Sequence, residues 1–367
     1  MIKKFILLVM VLTCFTIYGV EIHHQEKDDI FTEADNITLY TGKGKCEFTA
    51  KGEKYIYDGE YKNGKFNGKG ILYFSNGNRY EGQFVNNMFE GKGIFNSSYV
   101  KYEGQFVHDK LEGQGIIYYN NGNRYEGQFV NNLFNGEGSY YWDNGDIYEG
   151  FFVDNLQNGQ GTFTYASGDK YIGKFKNGKM EGQGIFTFLE GNIYTGEFKD
   201  GIMNGYGVLQ YSDGKKYEGQ FKNGVFEGQG TLYFTDGSRY EGTFKDDKFN
   251  GKGVFYIKKT GQYEGQFVND NIEGQGTLYY ANGNKYIGQF VNNLKNGQGI
   301  LYYVDGRKYE GQFVDEFFEG QGTFYYSNGD KYVGQFKNGV FEGQGILYFI
   351  DGRTQKGQFK NGNYVGN

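Results

Sequence analysis

The sequence predicts an all-β fold, an elongated array of antiparallel β-hairpins laid side by side in a single twisted sheet. Three observations carry this expectation. A 23-residue pattern runs without interruption from Tyr57 to Thr354, thirteen copies in all, of which only the second (Tyr80 to Lys101) is one residue shorter. Each copy alternates aromatic and polar residues with the period of a strand that buries one face. The 63 glycines sit at fixed places in that pattern, among 36 tyrosines and 35 phenylalanines and with no proline. Glycine-rich chains that stay disordered are poor in aromatic residues, so this composition belongs to ordered β structure. A fixed short period decides the architecture before any local feature does, because a unit this small buries a core only against its neighbours.

Residues 1–20 have the form of an export signal. Lys3 and Lys4 make a basic start, and the apolar run Phe5 to Tyr18 ends beside the small residue Gly19. An uncleaved membrane anchor is the alternative, although the run is short of the ~20 residues that a span needs. Residues 21–40 are a polar, patternless lead-in, expected to be mobile, and its His23-His24 pair is expected to be incidental. Residues 41–56 form a worn half-repeat: Gly42 and Gly44 match the paired glycines of later copies, and Gly52 matches a turn glycine. Residues 57–354 are the array. Residues 355–367 are half a copy in which Gln355 replaces the leading tyrosine, and a polar end suits a terminal cap.

Counted from the leading tyrosine, position 1 is Tyr in every copy (Tyr57, Tyr80, Tyr102 and onward to Tyr332), position 3 is Gly, and position 5 is Phe or Tyr. Positions 12 and 14 are Gly, as in Gly228 and Gly230, and positions 16 and 18 are mostly apolar, as in Leu232 and Phe234. Two strands follow from this, one over positions 1 to 5 and one around 15 to 18, with positions 6 to 13 expected to be a loop. Asn-Gly or Asp-Gly (Asn76-Gly77, Asp213-Gly214) then marks a tight turn into the next copy. Glycine at position 3, between two inward aromatics, is expected to leave room for a neighbour's ring. Copies 2 and 9 carry Val100 and Thr260 where the others have the turn glycine, so bends are expected there.

The run Tyr217-Glu218-Gly219-Gln220-Phe221-Lys222-Asn223-Gly224, continued by Gly228-Gln229-Gly230-Thr231-Leu232-Tyr233-Phe234 and Asp236-Gly237, resembles the MORN repeat. The resemblance covers residues 57 to 354. It implies a twisted antiparallel hairpin array of the kind that serves as a scaffold, dimerisation module or membrane-adjacent connector, as in junctophilins, or that accompanies a catalytic domain in lipid kinases and lysine methyltransferases. The segments outside the array, 1–56 and 355–367, are too short for such a domain, so no enzyme is expected. The chain departs from the commonest form of the repeat at position 10, where a basic residue is usual and this sequence has Phe66, Phe89, Phe134, Phe226, Phe249, Phe318 and Phe341. The loss of those cations counts against binding to anionic lipid.

Other chemistry is sparse. The array holds one histidine, His108, where other copies carry Asn or Asp; the repeated glutamates offer no privileged pair of carboxylates; Trp142 falls on an inward position. Two cysteines, Cys14 and Cys46, make neither a disulfide framework nor a zinc site. Calcium and phosphate loops lack their partner residues. With 38 basic and 44 acidic residues spread evenly, no basic face suggests nucleic acid. No catalytic residue, metal, cofactor or small-molecule substrate is therefore expected. The expected function is an exported (periplasmic, cell-surface or secreted) structural scaffold for protein partners, for self-association or for envelope contacts. A glycan- or cell-wall-binding array and a peripheral lipid-binding module are the alternatives. The candidate interaction residues are Phe89, Phe134, Phe226, Phe249, Phe318 and Phe341 at position 10, which recur in the loop beside Met88, Leu133, Val225, Phe317 and Val340 at position 9; the two positions are expected to form a stripe along one edge, either closing the core's rim or open to a partner.

Overall fold

The computed structural model describes residues 40–50 and 52–366, together with the backbone of two short strands at Glu21–His23 and Ile30–Phe31. Among the described residues there is no helix, and every strand pairing is antiparallel. The chain divides into two compact units, Met1–Leu189 and Glu190–Asn367, and each is an array of hairpins. The all-β hairpin architecture is as the sequence predicts.

In the second unit, copy 8 shows how the sequence builds a hairpin. Its strands are Lys216–Lys222 and Val225–Tyr233, and the next copy begins with Arg239–Lys245. The connection is two residues long, Asn223 and Gly224, with φ of 52° and 87°. Two consecutive residues with positive φ define the type I′ turn, whose twist matches that of the flanking strands. In the first unit, Arg124–Val130 and Leu133–Tyr141 are joined the same way by Asn131 and Asn132, since asparagine tolerates the left-handed region. The long loop expected over positions 6 to 13 is thus replaced by a turn at positions 7 and 8, and the second strand runs from position 9 to 17.

What looked like loop composition is a bulge inside that strand. Gly219 faces Gly230 and Phe221 faces Phe226, so Glu227, Gly228 and Gln229 all lie opposite the single residue Gln220. Gly228 takes φ of 78°, and a Cβ there would sit 1.9 Å from the Gln220 Oε1. That oxygen accepts the Gln229 N–H at 3.0 Å. The preference for Gln or Glu at position 4 follows, because the bulge leaves an amide that needs an acceptor. The inter-copy turn is a type I turn closed by a left-handed glycine: the Phe234 carbonyl accepts the Gly237 N–H at 3.1 Å, and Asp236 Oδ1 accepts the Ser238 N–H at 2.8 Å. At Val100 and Thr260, where that glycine is missing, the ladders stay in register, with Asn96 facing Lys101 and Ile257 facing Gly261.

The core is a layer of rings on one face of the sheet. The thirteen leading tyrosines are fully buried. Each lies over the glycine pair of its own hairpin and donates its hydroxyl hydrogen to the carbonyl of position 4, as Tyr217 does to Gln220 at 2.9 Å. A Cβ on Gly219 or Gly230 would come within 2.6 Å of that hydroxyl. The glycines at positions 3 and 14 therefore make the bed for the leading tyrosine of their own copy, not for a neighbour's ring. Phe at position 5 meets the tyrosine of its own copy and that of the copy before it edge-on, at 5.1 Å from Tyr217 and 4.9 Å from Tyr194 for Phe221. Such pairs add about 0.5–1.5 kcal/mol each beyond burial.

Consecutive copies are also joined by side chains. Asn132 Oδ1 accepts the Leu111 N–H at 2.8 Å, and Asp247 Oδ1 accepts the Phe226 N–H at 2.7 Å. Asp109 does the same for Phe89, and burial pushes its carboxyl up to about 6 from an ordinary value of 3.8. A raised acid binds its proton more tightly in the folded chain, so its contribution to stability is present below about pH 4 and is lost as the pH rises to about 6. The gap between those two values sets a ceiling of about 3 kcal/mol, and partial exposure reduces this to roughly 1 kcal/mol. Asp109→Asn keeps the acceptor, as Asn87 and Asn155 do in other copies. The variant is expected to gain roughly 1 kcal/mol at pH 7 and nothing at pH 4, measured by urea unfolding at both values.

At the beginning of the array Gly44 faces Gly59, which places the half-repeat strand Gly42–Ala50 as a second strand missing its first. The lead-in is not structureless throughout: Glu21–His23 pairs with Lys45–Glu47 and with Ile30–Phe31. At the far end Thr354–Lys360 and Asn363–Gly366 form the last hairpin.

Candidate interaction faces

The six phenylalanines expected to form a stripe lie on the second strand and pack into the ring layer. Each stacks on the leading tyrosine of its own copy: Phe89 on Tyr80, Phe134 on Tyr125, Phe226 on Tyr217, Phe249 on Tyr240, Phe318 on Tyr309 and Phe341 on Tyr332, with centroids 3.6–3.8 Å apart and planes within 14°. Phe89, Phe134 and Phe226 are buried, and Phe249, Phe318 and Phe341 half-buried. The bulge is the reason: it carries position 10 back opposite position 5, so the ring falls on the aromatic face. In copy 11 Lys295 takes this place, its Nζ held by Glu316 at 2.7 Å and by the Tyr280 hydroxyl at 2.9 Å. Trp142 is half-buried between Tyr140 and Phe163.

The opposite face is polar and repeats one triplet. At Lys101, Arg124, Lys216, Arg239 and Lys308 the cation at position 23 lies over the tyrosine at position 17 of the following copy and reaches the glutamate two residues ahead of it. Arg239 sits 3.7 Å from the Tyr256 ring and 2.5 Å from Glu241. Lys308 sits 4.1 Å from Tyr325 and 3.0 Å from Glu310. These pairs are partly exposed at the surface and add little stability, so their regularity concerns the surface more than the fold. In the second unit this face forms an open trough of about 1040 Å3 over glycine backbone, walled by Glu218, Glu241, Glu264, Gln229, Lys252 and Tyr206. In the first unit a smaller trough of about 620 Å3 runs past Glu81, Lys92, Gln114 and Glu126.

Of the two positions expected along the edge, position 9 stays there, and position 6 joins it. Positions 6 and 9 close the two-residue turn as a facing pair, Val130 with Leu133 in the first unit and Val291 with Leu294 in the second. Many of these side chains are exposed, Phe317 by 55%. The signal was the Val-Asn-Asn-Leu run, apolar residues flanking two residues fit for a type I′ turn.

Other candidates are quiet. His108 occupies a turn position with φ of 48°, and its N–H donates to Glu90. Cys46 is buried, and that burial pushes its thiol up to about 11, so it packs as a small apolar residue. Among the described residues no group of three or more His, Cys, Asp or Glu side chains could hold a metal ion, and no helix is long and apolar enough to cross a membrane. The leader, residues 1–20, and His24 lie outside the described residues.

A repeated hairpin with an aromatic face, a polar face and no privileged site defines a structural repeat protein. The chain belongs to the MORN repeat family, whose profile matches thirteen segments from 57–79 to 332–352; the matches at 80–98 and 240–259 stop short where the turn glycine is missing. A comparison with curated proteins finds no match. Among solved structures, the SAS-4 TCP domain of Drosophila melanogaster, in complex with a proline-rich motif of Ana2, is 14% identical, covers 49% of this chain and 85% of its own, and has a TM-score of 0.26. A streptogramin B lyase is 13% identical over 77% of this chain and 88% of its own, with a TM-score of 0.13. A virginiamycin B lyase from Staphylococcus aureus is 11% identical over 77% and 89%, with a TM-score of 0.12. At these TM-scores the likenesses carry no argument.

Proposed function

We propose that the protein is a non-catalytic interaction scaffold, exported from the cytoplasm, that holds a protein partner or a second copy of itself at the cell envelope or beyond it. The trough of the second unit carries this reading. It offers the same glutamate at successive copies, Glu218, Glu241 and Glu264, in an open surface that no single residue commands. Acid–base catalysis needs two titratable groups in unlike environments, whereas many equal contacts at a fixed spacing suit multivalent binding. The array matched by the family profile adds to this, since its repeats are structural.

Crosslinking with mass spectrometry in the producing cell tests the reading, alongside cosedimentation of the purified full chain with anionic vesicles and with cell-wall polymer. Crosslinks are expected from Lys216, Lys285, Lys308 and Lys331 on the polar face to another polypeptide or another copy, with no cosedimentation. Saturable retention by vesicles or by wall polymer that is lost when Glu218, Glu241 and Glu264 become Gln would overturn it in favour of lipid or glycan. Export is tested separately by N-terminal sequencing, with a start expected between about residues 18 and 24; full-length protein in the cytosol contradicts it.

A further inference from the structure

In the second unit the triplet of the polar face is broken at one place that keeps two of its three members. Arg239 stands between Tyr233 and Tyr256 in the ladder, lies over the Tyr256 ring and pairs with Glu241. One copy further on, Gln262 stands in the equivalent place between Tyr256 and Tyr279, two residues ahead of Glu264. Glutamine carries no charge, so Glu264 lacks the partner that Glu218 and Glu241 have in Lys216 and Arg239. Lys285 approaches the Tyr279 ring from the next strand, at 5.1 Å. Tyr233 likewise lies between two cations, Lys216 and Arg239, so a ring of this ladder accommodates one on each side. Glu264 is exposed, Tyr279 is 38% exposed, and both line the trough of about 1040 Å3.

We infer that an arginine of a partner protein completes this triplet from outside, carried on an extended segment that lies along the trough. This deepens the scaffold reading and rests on it. A guanidinium suits both remaining members: its planar fork matches the Glu264 carboxylate, and its face stacks on the Tyr279 ring. Lys252, in the same trough, is in no ion pair among the described residues, and it faces Gln266 across the ladder. It repels a second cation and favours a carboxylate one or two residues from the arginine, because neighbouring strands lie ~4.8 Å apart and an extended chain advances ~3.3 Å per residue. Further along, Glu218 and Glu241 are already paired within the chain. The trough ends at Tyr206, whose ring is 53% exposed and meets an apolar side chain. From Tyr279 to Tyr206 the ladder counts six steps. That is ~29 Å, the length of about nine extended residues. An extended backbone also brings free N–H and C=O groups to Gln275 and Thr277 on the trough's lining, which a helix would keep for itself.

A phage-displayed library of random nine-residue peptides, selected on the purified full chain, tests this. The enriched peptides are expected to share one arginine with Asp or Glu one or two residues away. The best of them, followed by fluorescence anisotropy, is expected to bind Glu264→Gln more than tenfold more weakly, because a charge-assisted contact is lost. Gln262→Arg is expected to abolish binding by completing the triplet within the chain, and it suits the fold because Arg239 fills the equivalent place. Gln262→Ala, which removes the same side chain and supplies no charge, is expected to bind as the wild type does. Enrichment of peptides without arginine, or a selected peptide indifferent to Glu264→Gln or to Gln262→Arg, overturns the inference, as does equal loss from both Gln262 changes. Crosslinking in the producing cell separates this site from the reading it rests on. Polar-face crosslinks to another polypeptide that persist unchanged in Gln262→Arg sink the arginine site and leave the scaffold standing; a wild type without any crosslink to a polypeptide sinks the scaffold.

Discussion

Replacing Gly207 by valine is expected to open one copy of the array and leave the rest closed. Gly207 faces Gly196 across the hairpin, and the fully buried ring of Tyr194 lies on both. A Cβ on Gly207 would sit 2.5 Å from Tyr194 Cε2 and 2.6 Å from Cζ, against a ring pinned by its hydroxyl on the Glu197 carbonyl. The ring has nowhere to go, since Phe198 and Phe221 stand edge-on to it at 5.1 and 4.9 Å. Overpacking of this kind, with two branches beyond the Cβ, is expected to cost more than about 4 kcal/mol. Hydrogen exchange is the right measurement, because stability in a repeat array is a sum of local terms. Protection should fall between residues 194 and 221 and persist in distant copies. Uniform loss throughout the chain would show that the copies do not act locally.

Tyr217→Ala is expected to cost about 4 kcal/mol, and Tyr217→Phe only about 1 kcal/mol. The alanine removes a ring stacked on Phe226 at 3.6 Å and met edge-on by Phe221 and by Phe244 of the following copy. The phenylalanine removes only the hydrogen bond to the Gln220 carbonyl. Urea unfolding of the two variants separates ring from hydroxyl; equal losses would mean that the hydrogen bond, and not the packing, holds the hairpin.

The alternation Tyr217, Gly219, Phe221 and the pair Leu232 and Phe234 made the strands and the aromatic face legible, because period-2 patterning is what a half-buried strand writes into sequence. The middle of each copy was not legible. Glu227-Gly228-Gln229 has the composition of a loop, and its bulge is fixed by the Gln220 acceptor, a contact between residues nine apart that no local pattern reveals. With positions 6 to 13 expected as a loop, Phe226 and its counterparts became an edge stripe. The strand in fact returns these position-10 rings to the core, while position 9, as in Leu294 and Phe317, stays on the edge beside the position-6 side chains Val291 and Val314. Asn131-Asn132 adds to the difficulty, because two asparagines announce a type I′ turn less plainly than Asn223-Gly224 does.

The side-chain bonds between copies bear on how such a chain acquires its fold at all. Asn132 to Leu111, Asp247 to Phe226 and Glu90 to His108 join residues 21, 21 and 18 apart. None of these distances grows when another copy is inserted. Mean sequence separation relative to length therefore falls as the array lengthens, the reverse of what happens in a sheet whose first and last strands must meet. Loop-closure entropy, which slows most all-β proteins, stays at the level of a single hairpin and its neighbour. Folding can begin at any copy and spread by steps of the same size, so duplication of the 23-residue unit adds length without adding a harder search.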